Sequence, residues 1–337
     1  MESYKTIQSP LTIEKKMQVI RTKSIAVAFI VGVSLTATSF TFGQTSKGYT
    51  QVNGIKMYYE VHGTGEIPLV LIHGGGSTIE TTFGNILPLL TSKGKVIALE
   101  LQAHGHSGDR DTAVTFEQDA DDVASLLSYL KVSKANFFGF SNGGNTAMQM
   151  AIRHPGLVNK LVIASSFYKR NGLLSGLFDS MQHASLDNMP APLKTAYLQV
   201  APDKTHLQVM HDKDRDRMLH FKDWTDEAMR SIKAPTLLIM GDRDVVTPEH
   251  TLEMSRIIPH AQLMIVPGTH GSYIGEVCTA KKNSKVPEMV VEVIHEFLNL
   301  NINPSKRYNY DNKSKTNPGG VHSYNPLYQC KKCTKSH

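Results

Sequence analysis

The spacing of apolar residues predicts an α/β fold for the central part of this chain. Six unbroken apolar runs of strand length follow one another, separated by stretches with helical spacing. An apolar run without alternation is typical of a strand buried on both faces, as in a parallel sheet. The runs are IPLVLIHGG (67–75), KVIALEL (95–101), ANFFGFS (135–141), LVIASS (161–166), PTLLIMGD (235–242) and AQLMIVPG (261–268).

A hairpin and four amphipathic helices complete this pattern. Residues 49–63 alternate polar and apolar positions around Asn53-Gly54, a strong signal for a two-residue hairpin turn. Helical spacing occupies 116–132, 146–155, 247–258 and 287–300. An opening hairpin followed by strand–helix repeats predicts a mostly parallel sheet with helices on both faces.

One long interval interrupts the strand–helix repeats. Between Ser166 and Pro235 there is no strand-like run, but apolar residues recur at helical spacing and are rich in Met, Tyr and Phe. An interval of this length is more typical of a folded insertion than of a loop, so we predict a helical cap at about 167–233. Its Met and aromatic side chains favour an adaptable apolar pocket, or alternatively pack the cap onto the core.

The net charge of +6 comes from the two ends of the chain. Residues 1–43 carry five Lys or Arg and two Asp or Glu, and residues 302–337 carry seven and one. The remaining residues therefore hold 24 basic and 27 acidic side chains. This balance gives no support to a nucleic-acid-binding core.

The N-terminus is typical of an export signal. Arg21 and Lys23 precede the apolar stretch 25–35, and small residues lead to a predicted cleavage site before Gln44. Translation from Met17 would give a conventionally short charged segment. A membrane anchor is the alternative, but Ser and Thr dilute the stretch after Leu35. We therefore expect a signal peptide at 1–43, a periplasmic or secreted protein and no membrane span after cleavage.

The C-terminal residues 302–337 are expected to be a disordered basic tail. They lack apolar periodicity and are rich in Asn, Lys, Ser and Pro. Cys330 and Cys333 form a C-x-x-C pair here, and Cys278 is the third cysteine. Without a second ligand pair, C-x-x-C predicts no metal site, and three thiols make no disulfide framework.

The segment GFSNGG (139–144) places Ser141 between glycines immediately after a predicted strand. Gly139 and Gly143 flank it with the spacing G-x-S-x-G, and a predicted helix follows. In a strand–turn–helix context this spacing is typical of a nucleophile elbow, a tight turn that exposes a serine hydroxyl. A glycine loop without function is the alternative.

Ser141 would need a base and a carboxylate to orient that base. His270, in VPGTHGSY, follows the last predicted strand and is the candidate base among 15 histidines. Asp242 and Asp244 both follow the preceding strand, and the order serine, acid, histidine suits an elbow serine. Asp244 lies further from the strand end and is the preferred acid, whereas Asp242 is expected to bond local backbone.

HGGGST (73–78) is the candidate oxyanion loop, since its glycines let backbone N–H groups turn inward. Gly75 is the first choice of donor and Gly76 the alternative, with the N–H of Asn142 as the second donor. A phosphate-binding loop is the competing interpretation, but the sequence lacks both G-K-[ST] and G-x-G-x-x-G.

With these motifs in order, residues 49–300 resemble the α/β-hydrolase-fold serine hydrolases. HGGGS, ELQAHGHSGD, GFSNGG, GDRDVVTP and GTHG stand in the order of that family. The resemblance implies that Ser141 is the nucleophile, Asp244 the acid and His270 the base. Residues 100–107 depart from the family's D-x-R-G-x-G-x-S pattern, but that stretch supports the fold rather than the chemistry.

The resemblance further implies acyl transfer through an acyl-serine, with an ester or lactone as the small-molecule substrate and no metal or organic cofactor. The pattern is also similar to that of exported serine esterases that open macrolide antibiotics. Other activities of the fold remain as alternatives: a general carboxylesterase, a cofactor-free perhydrolase or haloperoxidase-like enzyme, a carbon–carbon bond hydrolase, or a non-catalytic ligand receptor.

Overall fold

The computed structural model describes residues 45–300, where eight strands form one twisted sheet. The predicted signal peptide (1–43) and the predicted basic tail (302–337) lie outside the described residues. The strands are β1 (Ser46–Val52), β2 (Ile55–His62), β3 (Leu69–Ile72), β4 (Val96–Leu99), β5 (Ala135–Phe140), β6 (Val158–Ala164), β7 (Thr236–Arg243) and β8 (Ala261–Thr269).

The strand order is β1-β2-β4-β3-β5-β6-β7-β8. The β1–β2 hairpin and the β2–β4 pair are antiparallel, and every pair from β4 onward to β8 is parallel. The chain starts its parallel part near the middle of the sheet and builds outward to β8. The predicted hairpin and mostly parallel sheet are therefore confirmed.

Within residues 45–300, ten α-helices lie between or after these strands. They are α1 (Ile79–Phe83), α2 (Leu87–Thr91), α3 (Phe116–Tyr129), α4 (Asn142–Arg153), α5 (Leu177–Gln182), α6 (Ala191–Val200), α7 (Leu207–Leu219), α8 (Asp226–Ser231), α9 (Pro248–Ile257) and α10 (Val286–Asn299). Short 3-10 helices occupy Pro155–Leu157, Arg170–Gly172 and Lys204–His206. Four helices, α3, α4, α9 and α10, correspond to the four predicted amphipathic stretches.

The helices cover both faces of the sheet because the strands present apolar side chains on both faces. Val70 and Ile72 of β3 belong to an apolar cluster with residues of α3, α4, α8 and α9. Their neighbours Leu69 and Leu71 belong to a second cluster with α1, α2 and α10. Successive side chains of a strand point to opposite faces. This is the physical basis of the three-layer arrangement predicted from the unbroken apolar runs.

One predicted strand differs from the expectation of burial on both faces. AQLMIVPG (261–268) forms β8, but β8 is the last strand of the sheet and Ile265 is 42% exposed. The apolar run is a local property that favours a strand. Its position at the edge depends on the order in which all eight strands pair.

The interval between β6 and β7 contains the predicted helical cap. Helices α5 to α8 lie within it. Met229 of α8 joins the first sheet cluster, whereas other apolar residues of the interval form two further clusters that also include Ala103 and Phe116 from the core. Met189, Leu193 and Met210 belong to one of these, and Phe167 and Met218 to the other. The cap therefore has apolar packing of its own and is a folded layer rather than a loop.

Candidate active site

Ser141 occupies the turn between β5 and α4. Its φ of 54° and ψ of −124° place a non-glycine residue in a sparsely populated backbone region. The Ser141 N–H donates to the Ala164 carbonyl at 2.8 Å, and its own carbonyl accepts from the Ser166 hydroxyl at 2.8 Å. These bonds to β6 and its loop hold the unusual turn in place. The strand–turn–helix context predicted for the elbow is therefore present.

The glycines around Ser141 are required because the chain passes close to itself. A Cβ on Gly143 would lie 2.1 Å from the carbonyl oxygen of Ile72. A Cβ on Gly139 would lie 2.2 Å from the Gly143 carbonyl oxygen, and one on Gly144 would overlap the Ser166 hydroxyl. No real Cβ tolerates such distances. The G-x-S-x-G spacing thus has a steric cause in this fold.

The structure brings Ser141, His270 and Asp244 together from three separate loops. His270 Nε2 lies 3.1 Å from Ser141 Oγ, and His270 Nδ1 lies 2.7 Å from Asp244 Oδ1. A proton on Nδ1 can be donated to the carboxylate, which leaves the lone pair of Nε2 directed at the serine hydroxyl. This is the geometry of a nucleophile, a base and an orienting acid.

Asp244 is a buried carboxylate with several hydrogen-bond donors. The N–H groups of Val245 and Gly241 donate to it at 2.7 and 3.3 Å, and the Ser165 hydroxyl donates to Oδ2. Burial alone would raise its pKa, but the hydrogen bonds and charge of His270, with Ser165 and Gly241, outweigh burial, and the pKa lies below its ordinary value. Asp244 is therefore ionised at neutral pH.

Two residues behind Asp244 are absent from the sequence-based prediction. Because the single hydroxyl proton of Ser165 is donated to Asp244, the Tyr273 hydroxyl must be the donor in its 2.5 Å contact with Ser165. Both side chains are buried. Neither has a recognisable sequence signal, since Ser165 ends a strand run and Tyr273 lies in a loop like many tyrosines.

Asp242, the alternative acid, lies elsewhere. Its Oδ1 accepts a hydrogen bond from the Gly268 N–H at 2.7 Å, and its side chain is half exposed. The strand β7 extends to Arg243, so Asp242 is a strand residue, whereas Asp244 is the first residue of the loop. Asp242 bonds backbone, as the sequence analysis expected, but the donor belongs to the neighbouring strand β8 rather than to the local chain.

The loop after β3 lies beside Ser141 and contains the candidate oxyanion donors. Gly75, Gly76, Ser141 and Asn142 all line one cavity. Within residues 45–300, no protein group accepts a hydrogen bond from the Gly75 or Asn142 N–H. The Gly76 N–H, in contrast, already donates to the Asp214 carboxylate at 2.5 Å. The N–H groups of Gly75 and Asn142 are thus available to an oxyanion, whereas the N–H of Gly76 is already used.

His73 holds this loop through two hydrogen bonds. It is fully buried, its Nδ1 donates to the Gly74 carbonyl at 2.7 Å, and its Nε2 accepts from the Leu101 N–H at 3.0 Å. Burial lowers the pKa of His73 to about 3, so the ring is neutral. His73 therefore positions the loop that follows β3.

Glu100 stands where the family pattern has Asp, and its carboxylate bonds backbone N–H groups of neighbouring loops. Its buried carboxylate accepts from the His106 N–H at 2.6 Å and from the Ile79 N–H at 3.2 Å. A Cβ on Gly105 would lie 2.2 Å from Glu100 Oε2, so the loop closes tightly around the longer side chain. The departure from the family pattern in residues 100–107 therefore affects the structure of a loop.

A cavity of about 380 Å³ opens between the core and the cap above Ser141 and His270. Its walls are largely apolar and come mainly from the cap, with a few polar groups from Asn188, His211 and Arg215. The apolar lining includes Phe167, Leu173, Leu177, Met181, Met189, Met210 and Met218. The predicted apolar pocket is present, while Phe221, Trp224 and Tyr197 pack elsewhere in the cap.

The described residues contain neither a membrane-spanning helix nor a metal cluster. Between residues 45 and 300, every helix is too short or too polar to cross a bilayer. In the same part of the chain, no three His, Cys, Asp or Glu side chains are grouped so that they could hold a metal ion.

A family model described as the alpha/beta hydrolase fold matches residues 67–213. The human protein Serine hydrolase BPHL is 27% identical over 236 residues, which cover 66% of this chain and 79% of that protein. The meta-cleavage product hydrolase CumD of Pseudomonas fluorescens IP01 superimposes with a TM-score of 0.59 at 20% identity, covering 74% of this chain and 97% of that one.

The enol-lactonase of Burkholderia xenovorans LB400 gives a TM-score of 0.58 at 22% identity, with 74% and 99% of the two chains covered. Structural likeness at these identities shows the fold. Together with the family model over residues 67–213, it shows that the described part of the chain has the α/β-hydrolase fold. The expected fold class, including its helices on both faces and its cap, is confirmed.

Proposed function

We propose that this α/β hydrolase cleaves a carboxylic ester or lactone through an acyl-serine intermediate. The observation that carries the proposal is the hydrogen-bonded series Ser141, His270 and Asp244 at the base of an apolar cavity. Its support is geometric: each of the two contacts has the length that proton transfer and orientation require.

In the proposed mechanism, Ser141 Oγ attacks the carbonyl carbon while His270 Nε2 takes its proton. Asp244 holds the imidazole in the correct tautomer and stabilises its positive form. The N–H groups of Gly75 and Asn142 donate to the oxyanion of the tetrahedral intermediate. His270 returns the proton to the leaving alcohol, and a water molecule, activated in the same way, releases the acid from Ser141.

The size of the cavity bears on the substrate. At about 380 Å³ it falls at the lower end of the ~300–1,000 Å³ range of small-molecule sites. The walls favour an apolar acyl chain or ring, and Met side chains adapt to different shapes. We therefore propose small esters and lactones as the first substrates to test. Macrolides are the bulky extreme of the same class and would require the cap to move.

A second candidate, hydrolysis of a carbon–carbon bond, is favoured by one comparison. CumD, which shares this fold, is named a meta-cleavage product hydrolase. The two functions can be separated with 2-hydroxy-6-oxo-6-(2'-aminophenyl)hexa-2,4-dienoic acid, the compound in the name of a Metapseudomonas resinovorans hydrolase that is 24% identical to this chain over 226 residues. Loss of its visible absorbance with release of two acids or an acid and a dienol would favour this candidate over ester hydrolysis.

The test begins with an active-site-directed fluorophosphonate and a panel of p-nitrophenyl esters, lactones and macrolides. Wild-type protein should accept one adduct and hydrolyse short-chain esters. Ser141→Ala should accept none and lose activity, and Ser128→Ala, an exposed serine on α3, should behave as wild type. Opening of a lactone adds one water, about 18 Da, to the mass of the product.

Two results would contradict the proposal. Adduct formation that persists in Ser141→Ala would mean that another residue is the nucleophile. A folded wild-type protein that takes up no fluorophosphonate and turns over no ester would leave a non-catalytic ligand receptor as the better reading of the fold.

A further inference from the structure

Four charged side chains form a buried cluster between the cap and the core. Asp214 and Arg217 come from α7 in the cap, His104 from the loop after β4, and Asp119 from α3. Each is at most 9% exposed. His104 Nε2 lies 2.8 Å from Asp214 Oδ2, and Arg217 bridges Asp214 and Asp119, the latter at 2.7 Å. Buried ion pairs contribute little net stability, so the cluster calls for another explanation.

The cluster ends on the candidate oxyanion loop. Asp214 Oδ2 accepts a hydrogen bond from the Gly76 N–H at 2.5 Å, a contact between residues 138 positions apart in the chain. The same oxygen lies 3.1 Å from the position that a Cβ on Gly75 would occupy. The Asp214 carboxylate therefore packs directly against both glycines of the loop.

A run of three glycines needs such an external constraint. Glycine samples both signs of φ with little cost, so the peptides of Gly74, Gly75 and Gly76 could adopt several orientations. Gly76 has a φ of +65°, and its N–H donates to Asp214 at 2.5 Å, with His104 Nε2 also 3.2 Å away, so the buried cluster faces this peptide. With the Gly76 N–H turned to Asp214, the neighbouring Gly75 N–H is the donor left on the cavity side.

We propose that Asp214 is a positioning residue that, from the cap, orients the Gly75 N–H toward the oxyanion. This rests on the proposed function, since it assigns a role within the same reaction. Asp214 lines the cavity, but both of its oxygens already accept hydrogen bonds from Gly76, His104 and Arg217, so the role assigned to it is to position the loop. The oxyanion site is then complete only when the cap is docked on the core.

The charges around Asp214 make this arrangement compatible with a developing oxyanion. A lone carboxylate beside the loop would repel the negative charge of the tetrahedral intermediate. Burial would raise the pKa of Asp214, but the positive charges of His104 and Arg217 hold it well below its usual value. The same two positive charges offset the negative charge of the Asp214 carboxylate. The carboxylate therefore keeps its hydrogen bond with the Gly76 N–H, while its repulsion of the oxyanion is reduced.

The test compares Asp214→Ala, Asp214→Asn and Asp119→Asn on a small p-nitrophenyl ester that does not depend on the cap for binding. Asp214→Ala should lower kcat by about 10- to 100-fold, less than the ~10²–10³ caused by removing a donor outright, with KM nearly unchanged. Asp214→Asn keeps one acceptor oxygen for Gly76 and should recover part of the loss. Asp119→Asn disturbs Arg217 but leaves the Gly76 contact, and should lose kcat less than about three-fold.

A trifluoromethyl ketone inhibitor adds a readout that a merely structural role would not move. Its adduct with a serine places an oxyanion in the oxyanion site, so Ki should rise across the variants by the factor by which kcat/KM falls. Thermal unfolding of each variant shows whether it is folded. If Asp214→Ala does not fold, Asp214→Asn, whose side chain is nearly the same size as that of the native residue, carries the comparison with wild type.

The outcomes separate this inference from the proposed function. If wild type hydrolyses esters while the Asp214 variants keep kcat and Ki and only lose thermal stability, Asp214 is structural and the inference is wrong. If wild type itself has no esterase activity and no fluorophosphonate adduct, the proposed function fails before any Asp214 variant is compared.

Discussion

The carboxylate of Asp244 shows how one side chain is prepared for a single role. Val245, Gly241 and Ser165 donate to it while His270 occupies its outward-facing edge. These donors fix the carboxylate in place and keep it ionised in a buried position. Asp242, two residues earlier, is exposed and has none of this support beyond one backbone donor. The two aspartates should therefore differ sharply in their importance.

Replacing Asp244 by Asn should lower kcat by about 10⁴-fold, or about 5 kcal/mol in transition-state stabilisation, because the amide would no longer hold the correct histidine tautomer. Asp242→Asn is the matched control and should retain most activity. Steady-state kinetics on one p-nitrophenyl ester measure both. The opposite ranking of the two variants would show that Asp242 is the acid.

The second group of contacts joins whole elements: the loop after β4 is tied to the cap helix α7 through His104 and Asp214. The groups that face His104 are Asp214 and Arg217 from α7, Asp119 from α3 and His73 from the end of β3. Burial would lower the pKa of His104, but the charge and hydrogen bond of Asp214 outweigh burial and raise it above 6.5. His104 is therefore protonated more readily in the folded protein than in the unfolded chain.

A pH-dependent stability follows for this contact. A histidine with a raised pKa contributes stability that is fully present below 6.5 and is lost as pH rises through the folded pKa. The decrease in Tm caused by His104→Gln should accordingly be larger at pH 6 than at pH 9. Calorimetric or fluorescence-detected unfolding at both pH values measures the difference.

His73→Gln is the control for this experiment. His73 is equally buried and touches His104, but its pKa of about 3 keeps it neutral from pH 6 to pH 9. The unfolded chain, in which a histidine titrates near 6.5, binds a proton at pH 6 that the folded protein does not, so His73→Gln should cost less Tm at pH 6 than at pH 9, the opposite direction to His104→Gln. If the two variants show the same pH profile, the ion pair with Asp214 does not govern the stability of this contact.

At the scale of the whole molecule, the candidate catalytic residues follow strands of the sheet, whereas most of the cavity wall comes from the cap. Ser141, Asp244 and His270 follow β5, β7 and β8, three parallel strands whose carboxyl ends share one edge. The cavity walls come largely from the interval between β6 and β7. Changes in the cap lining should therefore alter which substrates are cleaved more than the chemical step itself.

We also propose that the enzyme is exported and that its mature form begins at Gln44. The basis is the charged, apolar and small-residue order of residues 1–43. Intact mass of protein recovered from the periplasm or medium of the native host should correspond to a chain starting near Gln44. A full-length product retained in the cytoplasm would contradict export.

Local sequence patterns determined much of this protein. The unbroken apolar runs specified buried strands because a strand between two helical layers needs apolar side chains on both faces. The G-x-S-x-G spacing specified the elbow because only glycines permit the close approach to Ile72 and Gly143. The order of Ser141, Asp244 and His270 could also be predicted from the sequence, because each of these residues follows an apolar run that specifies a strand.

Contacts between segments that are distant in the chain could not be predicted from these local patterns. DKDRDR (212–217) resembles a solvated charge run, yet Asp214 and Arg217 are buried because α7 docks on the oxyanion loop and on α3. The position of β8 at the sheet edge and the support of Asp244 by Ser165 and Tyr273 are of the same kind. Each depends on how whole elements pack, and side-chain periodicity reports only the faces of one element at a time.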